Sequence, residues 1–255
     1  MAEELPGANR FRVVYNLTNW LINMPRLLHR RSTWQGRMGS RGQPEESRAA
    51  ILDAAVREFA DHGIAGARTD AIAREARVNK ALLYYYFKDK EQLYGAVMEQ
   101  AFSGLKNTVF QVLDSDLRPR EKILAYAGAY FDFIASNAMY PRLMQREMMR
   151  AREGDSPHID KMVKTYIRPI FLRVSELLQQ GIAEHEFRPV NPGQFVPSMI
   201  AIIVFYFTNA SMMQKIVGFN PLTPERIAER RAAVLDFISA ALFLPKSNAT
   251  QGARS

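Results

Sequence analysis

Hydrophobic residues recur every three or four positions along most of the chain, beginning shortly after Pro44. This spacing places them on one side of an α-helix that has 3.6 residues per turn. The first such stripe consists of Ile51, Leu52, Ala55, Val56 and Phe59. Pro44 suits the first turn of this helix, and Gly63 is predicted to end it.

Capping residues predict where the next helices begin. Thr69 and Asn79 suit the N-caps of two short helices, because a side-chain oxygen there accepts a backbone N–H. Asp89 and Gln92 form a variant of the capping box that opens a longer helix. Further helices are predicted near residues 119–136, 138–152, 157–184, 192–218 and 224–244.

Prolines agree with these boundaries. Those that suit a first helical turn are Pro119, Pro157, Pro192 and Pro224. The capping residues before the last three are Ser156, Asn191 and Thr223. Pro169 is predicted to kink its helix. Since no segment alternates β-branched and polar residues, the predicted fold class is all-α.

The two short helices between Thr69 and Phe87 fit a helix-turn-helix arrangement. The apolar residues that would lock them together are Ile72, Ala73, Ala76, Val78, Leu83 and Phe87. The outward face of the second helix then carries Lys80, Ala81, Leu82, Tyr84 and Tyr85. This face offers a cation, apolar contacts for thymine methyl groups, and phenols for phosphates or base edges.

Three consecutive tyrosines, Tyr84 to Tyr86, occupy the second short helix. Tyrosines at helical spacing are more often core or interface residues than nucleic-acid contacts. Consecutive residues advance about 100° around a helix, however, so these three cannot all face one core. At least one of them is predicted to be exposed.

The segment from Thr69 to Leu93 resembles the DNA-binding segment of the TetR family of transcriptional regulators. The positions in register are Thr69, Ile72, Ala73, Ala76, Val78, Leu83, Tyr84, Tyr86, Phe87, Lys90, Glu91 and Leu93. Two departures stand out. Arg77 occupies the usual turn glycine, which predicts a non-glycine residue near positive φ, and Asn79 replaces the frequent serine while keeping the capping chemistry.

The resemblance implies roles for individual residues. Phosphate contacts are expected at Thr69, Tyr85 and Lys90. The expected base or groove contacts are Lys80, Ala81, Leu82 and Tyr84. Arg41 and Arg48 would add backbone contacts, and Asn79 belongs to the same DNA-binding set. Phosphate contacts set the register on DNA, whereas the groove residues set sequence preference.

The resemblance also implies that the part after residue 110 binds a small-molecule effector and forms a homodimer. Helical spacing near the carboxyl end is consistent with a four-helix seam between subunits. The candidate dimer residues are Phe205, Ile227, Val234, Leu235, Ile238 and Leu242. The candidate effector residues are Phe102, Tyr126, Tyr130, Phe133, Met144, Glu147, Tyr166, Tyr206 and Asn209, with Phe205 also a candidate. Each of these is more often ordinary core.

Composition narrows the function further. The net charge of +8 favours polyanionic partners. Because the chain contains no cysteine, disulfides and thiolate metal sites are excluded, and a cytoplasmic location is expected. The four histidines show no metal-ligand spacing, and neither a phosphate loop nor a nucleophile elbow is present. We therefore expect no enzyme activity and no cofactor.

Residues 1–43 differ from the rest, because eight arginines and four glutamates lie among the first fifty residues. Three interpretations stay open: a basic amphipathic arm that touches DNA or membrane, a disordered tail, or upstream sequence before a true start at Met38. A regulator tethered to membrane through residues 10–31 is the alternative function. The uncharged segment from Phe195 to Met213 is long enough to cross a bilayer. Its polar residues and Pro197 favour a buried interface helix instead, so no stable membrane insertion is expected.

These inferences give one overall prediction. Residues 44–92 form a three-helix DNA-binding domain, residues 93–245 form a larger effector-binding and dimerisation domain, and residues 246–255 form a disordered tail. The protein is predicted to bind double-stranded DNA as a repressor. A small hydrophobic ligand would release it from a palindromic operator by shifting the helix near residues 90–110.

Overall fold

The computed structural model describes residues 44–152, 154 and 156–245. The predictions for the extension 1–43, including Arg41, and for the tail 246–255 lie outside these residues. The helices are α1 (Pro44–Gly66), α2 (Thr69–Glu75), α3 (Lys80–Tyr86), α4 (Lys90–Leu113), α5 (Pro119–Ser136), α6 (Met139–Arg152), α7 (Ile159–Met162), α8 (Arg168–Ala183), α9 (Pro192–Thr208), α10 (Ala210–Val217) and α11 (Pro224–Leu242). In this part of the chain, extended pairing is limited to an isolated bridge between Phe187 and Phe243. The all-α prediction is confirmed.

Most of the predicted caps are found. The side chains of Asn79, Asp89 and Asn191 accept backbone N–H groups at 2.7, 2.7 and 2.8 Å respectively. The prediction for Thr69 was wrong, because Arg68 holds the N-cap position of α2 and makes no side-chain cap. Glu58 instead accepts the backbone N–H of Arg68 at 2.9 Å.

Two other boundaries differ from the simple pattern. Gly63 interrupts α1 with φ 65° and ψ 177°, as expected, yet the helix resumes as far as Gly66. Thr223 holds the N-cap position of α11, but its side chain makes no capping hydrogen bond.

The helix predicted over residues 157–184 contains a local widening. A π-helical segment, Val163–Ile167, joins α7 to α8 immediately before Pro169. Proline has no N–H and its ring clashes with the carbonyl four residues earlier, so the preceding turn opens. That carbonyl, on Thr165, accepts a hydrogen bond from Lys106 Nζ at 3.4 Å.

The helix predicted over residues 192–218 is two helices. The chain bends by 74° between α9 and α10. Asn209 lies at the break, where its side-chain amide donates to the carbonyl of Phe205 at 3.0 Å and to the hydroxyl of Thr208 at 2.9 Å. Among the described residues no single helix is long and apolar enough to cross a bilayer, and only this bent pair meets the length and composition criteria jointly.

Two hydrophobic cores share helix α4. Its first half contributes Leu93 and Val97 to the core that contains α1, α2 and α3. Its second half contributes Val109 and Leu113 to the core formed by α5, α8, α9 and α11. The predicted division at residue 92 therefore does not separate two independent cores.

Helix α6 also contributes to the core of the DNA-binding part. Leu143 is fully buried in this core, which also contains residues of α1 and α4. A helix assigned from sequence to the effector domain thus helps to hold the helix-turn-helix in place.

We expect Leu143→Ala to lower the free energy of unfolding by about 2–5 kcal/mol, the usual cost of truncating a fully buried leucine. Urea denaturation followed by circular dichroism measures this loss. The exposed neighbour Gln145 is the control, and Gln145→Ala should change stability by less than about 0.5 kcal/mol. A similarly small loss for Leu143→Ala would contradict the packing of α6 into this core.

Candidate nucleic-acid interface

Buried apolar side chains hold α2 and α3 together. Ile72, Ala73, Leu83 and Phe87 are all buried, as the sequence pattern predicted. The turn is closed by a hydrogen bond from the Val78 N–H to the carbonyl of Ala73 at 2.9 Å. These contacts orient the opposite face of α3 toward solvent.

The tight turn contains a strained residue. Arg77 adopts φ 58°, in the left-handed region that favours glycine. This confirms the expectation drawn from its replacement of the family's turn glycine. The conformation persists because the packed helices on either side determine the path of the turn.

The outer face of α3 carries most of the predicted groove contacts. Tyr84 is 41% exposed and Tyr85 is 79% exposed. Lys80 and Ala81 are exposed as well, whereas Leu82 is half-buried. The prediction that at least one of the three tyrosines is exposed is confirmed.

Two polar contacts join this face to the start of α2. Lys80 Nζ lies 2.8 Å from the carboxylate of Asp70. The hydrogen bond and the charge of Lys80 lower the pKa of Asp70, and the same pair raises the pKa of Lys80. The hydroxyls of Thr69 and Tyr84 share a hydrogen bond of 3.2 Å. Both partners of the ion pair are exposed, so solvent screens their attraction and Lys80 is free to exchange Asp70 for a phosphate or base.

Lys90 has a structural contact that the sequence did not reveal. Its ammonium group donates to the carbonyls of Ala65 and Ala67, each at 3.2 Å. These bonds fasten the connection between α1 and α2 to the start of α4. Since an ammonium has three N–H donors, one donor is left for the predicted phosphate contact.

The helix-turn-helix part of the chain carries further cations. Arg48 places its guanidinium over the ring of Phe87, 5.4 Å from the ring centre. Arg68 directly precedes α2 in the sequence, Lys88 follows α3, and both are exposed. The sequence interpretation omitted Arg68 and Lys88, although their proximity to Thr69 and Lys90 along the chain was available as a signal.

Two family models cover most of the described chain. Residues 51–97 match the model described as bacterial regulatory proteins of the tetR family. Residues 119–238 match the model described as the tetracyclin repressor-like C-terminal domain. The chain belongs to the TetR family. Regulators of this family bind DNA through the helix-turn-helix and act as dimers.

Curated relatives of this TetR-family chain include both repressors and an activator. The HTH-type transcriptional repressor SCO4008 of Streptomyces coelicolor is 37% identical over 50% of this chain and 62% of its own length. The repressor KstR2 of Mycolicibacterium smegmatis is 31% identical over 58% of this chain and 70% of its own length. The activator FasR of the same species is 36% identical over 42% and 49%. The matched part thus spans between 49% and 70% of these relatives.

Solved structures agree with the assignment to the TetR family. SCO4942 of Streptomyces coelicolor superimposes with a TM-score of 0.60 at 25% identity, over 78% of this chain and 99% of that one. The TetR family regulator PfmR of Thermus thermophilus gives a TM-score of 0.58 at 20% identity, over 74% and 96%. The likeness to PfmR shows the fold alone.

Arg146 of α6 connects two parts of the subunit. We call α1 to α3 the reading head and α5 to α11 the regulatory body. The Arg146 guanidinium donates to the carbonyls of Ala60 and Asp61, at 2.9 and 2.7 Å. A Cβ at Gly63 would lie 3.1 Å from the same guanidinium. The sequence pattern did not identify this contact, because it joins residues 86 and 85 positions apart.

A second polar cluster lies where α4 begins. Glu91 accepts hydrogen bonds from Arg150 at 3.2 Å and pairs with His158 at 2.9 Å. Glu147 is fully buried beside them, and its carboxylate accepts the hydroxyl of Ser156 at 2.5 Å. Glu147, a predicted effector anchor, is therefore engaged by groups of its own chain.

The aromatic effector candidates lie in two separate cores. Tyr126 and Tyr130 are buried in the body core, with Phe133 packed against it. Tyr166 is buried in the other core, where it stacks with Phe102 at 6.2 Å between ring centres. Burial raises the pKa of Tyr130 to about 12 and raises the pKa of Tyr126 further. Both phenols therefore stay protonated even at a pH at which an exposed tyrosine begins to ionise.

The other effector candidates are engaged elsewhere. The hydroxyl of Tyr206 donates to the carbonyl of Pro221 at 2.8 Å, and Asn209 bonds to its own helix. Met144 is half-buried against the core to which α1, α2 and α3 contribute. Tyr126 differs from these residues, because its buried hydroxyl has no hydrogen-bond partner among the described residues.

Three predicted dimer residues need correction. Val234, Ile238 and Leu242 are buried within the subunit, in the core shared with α5. Arg231 adds a bidentate pair with Asp132 of α5, at 2.8 and 2.9 Å. This packing leaves no side-chain surface of the three residues for a partner. Ile227 and Leu235 are partly buried against the same core, whereas Phe205 is 52% exposed.

Replacing the strained turn residue is expected to stabilise the protein. Arg77→Gly removes the strain of a side chain in the left-handed conformation, which favours the folded state. Glycine also loses more backbone entropy on folding, so the net gain in the free energy of unfolding should be about 0.5–1 kcal/mol. Thermal denaturation measures the gain. Arg74→Gly, at an exposed position inside α2, is the control and should destabilise by about 1 kcal/mol. Destabilisation by both variants would contradict the strain at Arg77.

Proposed function

We propose that this transcriptional regulator is a cytoplasmic repressor that binds a palindromic operator as a homodimer and is released by a small hydrophobic ligand. The observation that carries the proposal is the exposed face of α3, with Lys80, Tyr84 and Tyr85, held by the buried residues Leu83 and Phe87. Such a short helix, presented by a helix-turn-helix, fits the major groove. Two copies related by a twofold axis would read half-sites about one turn of DNA apart.

The residues have separate roles in this proposal. Tyr84, Lys80, Ala81 and Leu82 meet base edges, and the cap at Asn79 sets where α3 enters the groove. Thr69, Tyr85, Lys90 and Arg48 contact phosphates. Phosphate contacts would supply most of the affinity, and their loss would change the salt dependence of binding.

The repressor assignment draws on relatives. SCO4008 and KstR2 are named as repressors, whereas FasR is named as an activator. Steric exclusion from a promoter needs only tight binding to the operator, which the exposed α3 face supports. Repression is therefore the simpler outcome for this chain.

The dimer in our proposal uses the outer faces of α9 and α11. Phe205 and Phe237 are 52% and 60% exposed there. Small exposed residues continue the same faces at helical spacing, namely Ala201, Ala233 and Ala240. Small residues let two helices approach closely, so each phenylalanine can contact the partner subunit.

The proposed release mechanism depends on α4 and α6. A ligand among the aromatic residues of the body, with Tyr126 as donor to a ligand oxygen, would displace α4, which is packed into both cores. Arg146 would carry movement of α6 to the part of α1 just before Gly63. A changed separation of the two heads prevents both from entering successive grooves.

The membrane-tether alternative rests on residues 10–31, which lie outside the described residues. Nothing in the relatives or in the described helices favours it over DNA binding.

Mutations at two positions should separate the two kinds of DNA contact. The operator is first obtained by footprinting the DNA upstream of the protein's own gene. Tyr84→Ala is expected to alter sequence preference, because it removes a groove contact. Lys90→Ala should weaken binding to all sequences and reduce the salt slope by about 0.9, the value for one phosphate contact.

Fluorescence anisotropy at several salt concentrations measures both effects. Lys164→Ala removes an exposed charge outside the helix-turn-helix and should change neither. Because Lys90 also fastens the α1–α2 connection, its variant is compared at a temperature well below its own melting point. Equal losses on every sequence for both variants would argue against these roles.

The link through Arg146 is tested without knowing the ligand. Arg146→Met keeps the aliphatic contacts but removes the donors to Ala60 and Asp61. Amide hydrogen exchange in α1 just before Gly63 should accelerate by at least about tenfold, since each hydrogen bond from a charged donor contributes about 1.5–3 kcal/mol and about 1.4 kcal/mol corresponds to a factor of ten. Arg142→Met, which removes an exposed ion pair with Asp61 and a contact with the Met139 sulfur, should leave that exchange nearly unchanged. Unaltered exchange in both variants would eliminate Arg146 as the connection.

A further inference from the structure

Helix α10 leaves an apolar surface open to solvent. None of its residues is buried in the subunit. Ile216 is 68% exposed, and Met212 and Val217 are also exposed. Phe219 and Leu222, in the connection to α11, extend this surface. We call residues 210–222 the arm.

The arm is held in a defined position. Gly218 ends α10 in the left-handed conformation with φ 77°. The Tyr206 hydroxyl donates to the carbonyl of Pro221 at 2.8 Å, and the Arg226 guanidinium lies 4.4 Å from the ring centre of Phe219. These contacts fix the base of the arm to α9 and α11. An ordered helix with an uncovered apolar face is typical of a contact surface.

The exposed aromatic side chains of α9 and α11 supply only part of the area that a stable dimer needs. A buried phenylalanine contributes about 150–250 Å², so the half-exposed rings of Phe205 and Phe237 offer about 200 Å² together. A stable interface buries roughly 800 Å² per partner. The alanines around the two rings add little. Other residues of these helices, or another surface of the subunit, supply the rest.

Charge indicates what covers the arm. Between Pro192 and Thr223, the chain contains a single charged residue, Lys215. Depletion of charge is typical of the centre of a homodimer interface and unlike a surface that binds DNA or an acidic protein. The arm also follows Phe205 directly, across the break at Asn209. A partner that covers the outer face of α9 would lie beside α10.

We propose that the arm packs on a second copy of this chain and extends the dimer interface beyond α9 and α11. The inference rests on the proposed dimeric function. Each subunit would place Met212, Ile216 and Phe219 against the partner, and the 74° bend would direct α10 away from its own core. The dimer then depends on a segment outside the two-helix seam.

Charge substitutions in the full-length protein test the proposal. Ile216→Glu should raise the dissociation constant of the dimer at least tenfold in sedimentation equilibrium. Gln214→Glu introduces the same charge at an exposed position of the same helix, about 200° around the axis from Ile216, and should change the constant less than twofold. Below the dissociation constant, where the subunits are separate, each variant should have the same melting temperature as the wild type, which shows that it folds.

A thiol at the same position gives a readout that does not require a charge in the interface. Because the chain contains no cysteine, Ile216→Cys supplies a unique thiol. Its reaction with a maleimide should be slow in the dimer and should accelerate on dilution below the dissociation constant. A reaction rate that is fast and independent of protein concentration would overturn the proposal.

A third variant separates this inference from the proposed function. If Phe237→Glu dissociates the dimer while Ile216→Glu does not, the arm proposal fails and the dimer on α9 and α11 stands. A wild-type protein that stays monomeric at micromolar concentration would refute the proposed function itself. Binding of the wild type to anionic phospholipid vesicles, lost in Ile216→Glu without any change in dimerisation, would assign the arm to a membrane and overturn the inference.

Discussion

Helix α4 is packed into two hydrophobic cores, and the relation between the reading head and the regulatory body depends on that packing. Leu93 and Val97 belong to the core of the head, and Val109 and Leu113 belong to the core of the body. A protein interior is close-packed, so the helix cannot move in one core without a rearrangement in the other. This constraint makes ligand-dependent control of DNA binding physically reasonable in a chain of this size.

Polar contacts add specific links between the reading head and the regulatory body. Arg146 of α6 donates to the carbonyls of Ala60 and Asp61, just before the break at Gly63 in α1, where the partial negative charge of an interrupted helix favours a cation. Arg150 and His158 meet Glu91 in the first turn of α4. The head is therefore linked to α6 and to the segment around α7 at two places. Movement of these elements has a defined route to the DNA-reading helix.

Two exposed surfaces of the subunit differ in their chemistry. The surface around α3 carries tyrosines and cations, which suit a polyanion with readable base edges. The surface along α9 and α10 is apolar, with Lys215 as the single charged residue, which suits a second copy of the chain. Helix α11 adds the exposed ring of Phe237 but also carries exposed charges, such as Glu229 and Asp236. In α3 and α11 the opposite face of the helix is buried, with Leu83 in α3 and Ile238 in α11, whereas α10 has no buried residue.

The sequence alone determined features that depend on neighbours within a turn or two: the caps at Asn79, Asp89 and Asn191, the positive φ of Arg77, and the bounds of α5. Only the tertiary structure decided which face of α11 is buried, where the helix predicted over residues 192–218 bends, and that Lys90 and Arg146 bond to distant carbonyls. Hydrophobic spacing reports that a helix has an apolar side, but it does not distinguish a face buried inside the subunit from one that meets a partner. That distinction depends on residues brought together from distant parts of the chain.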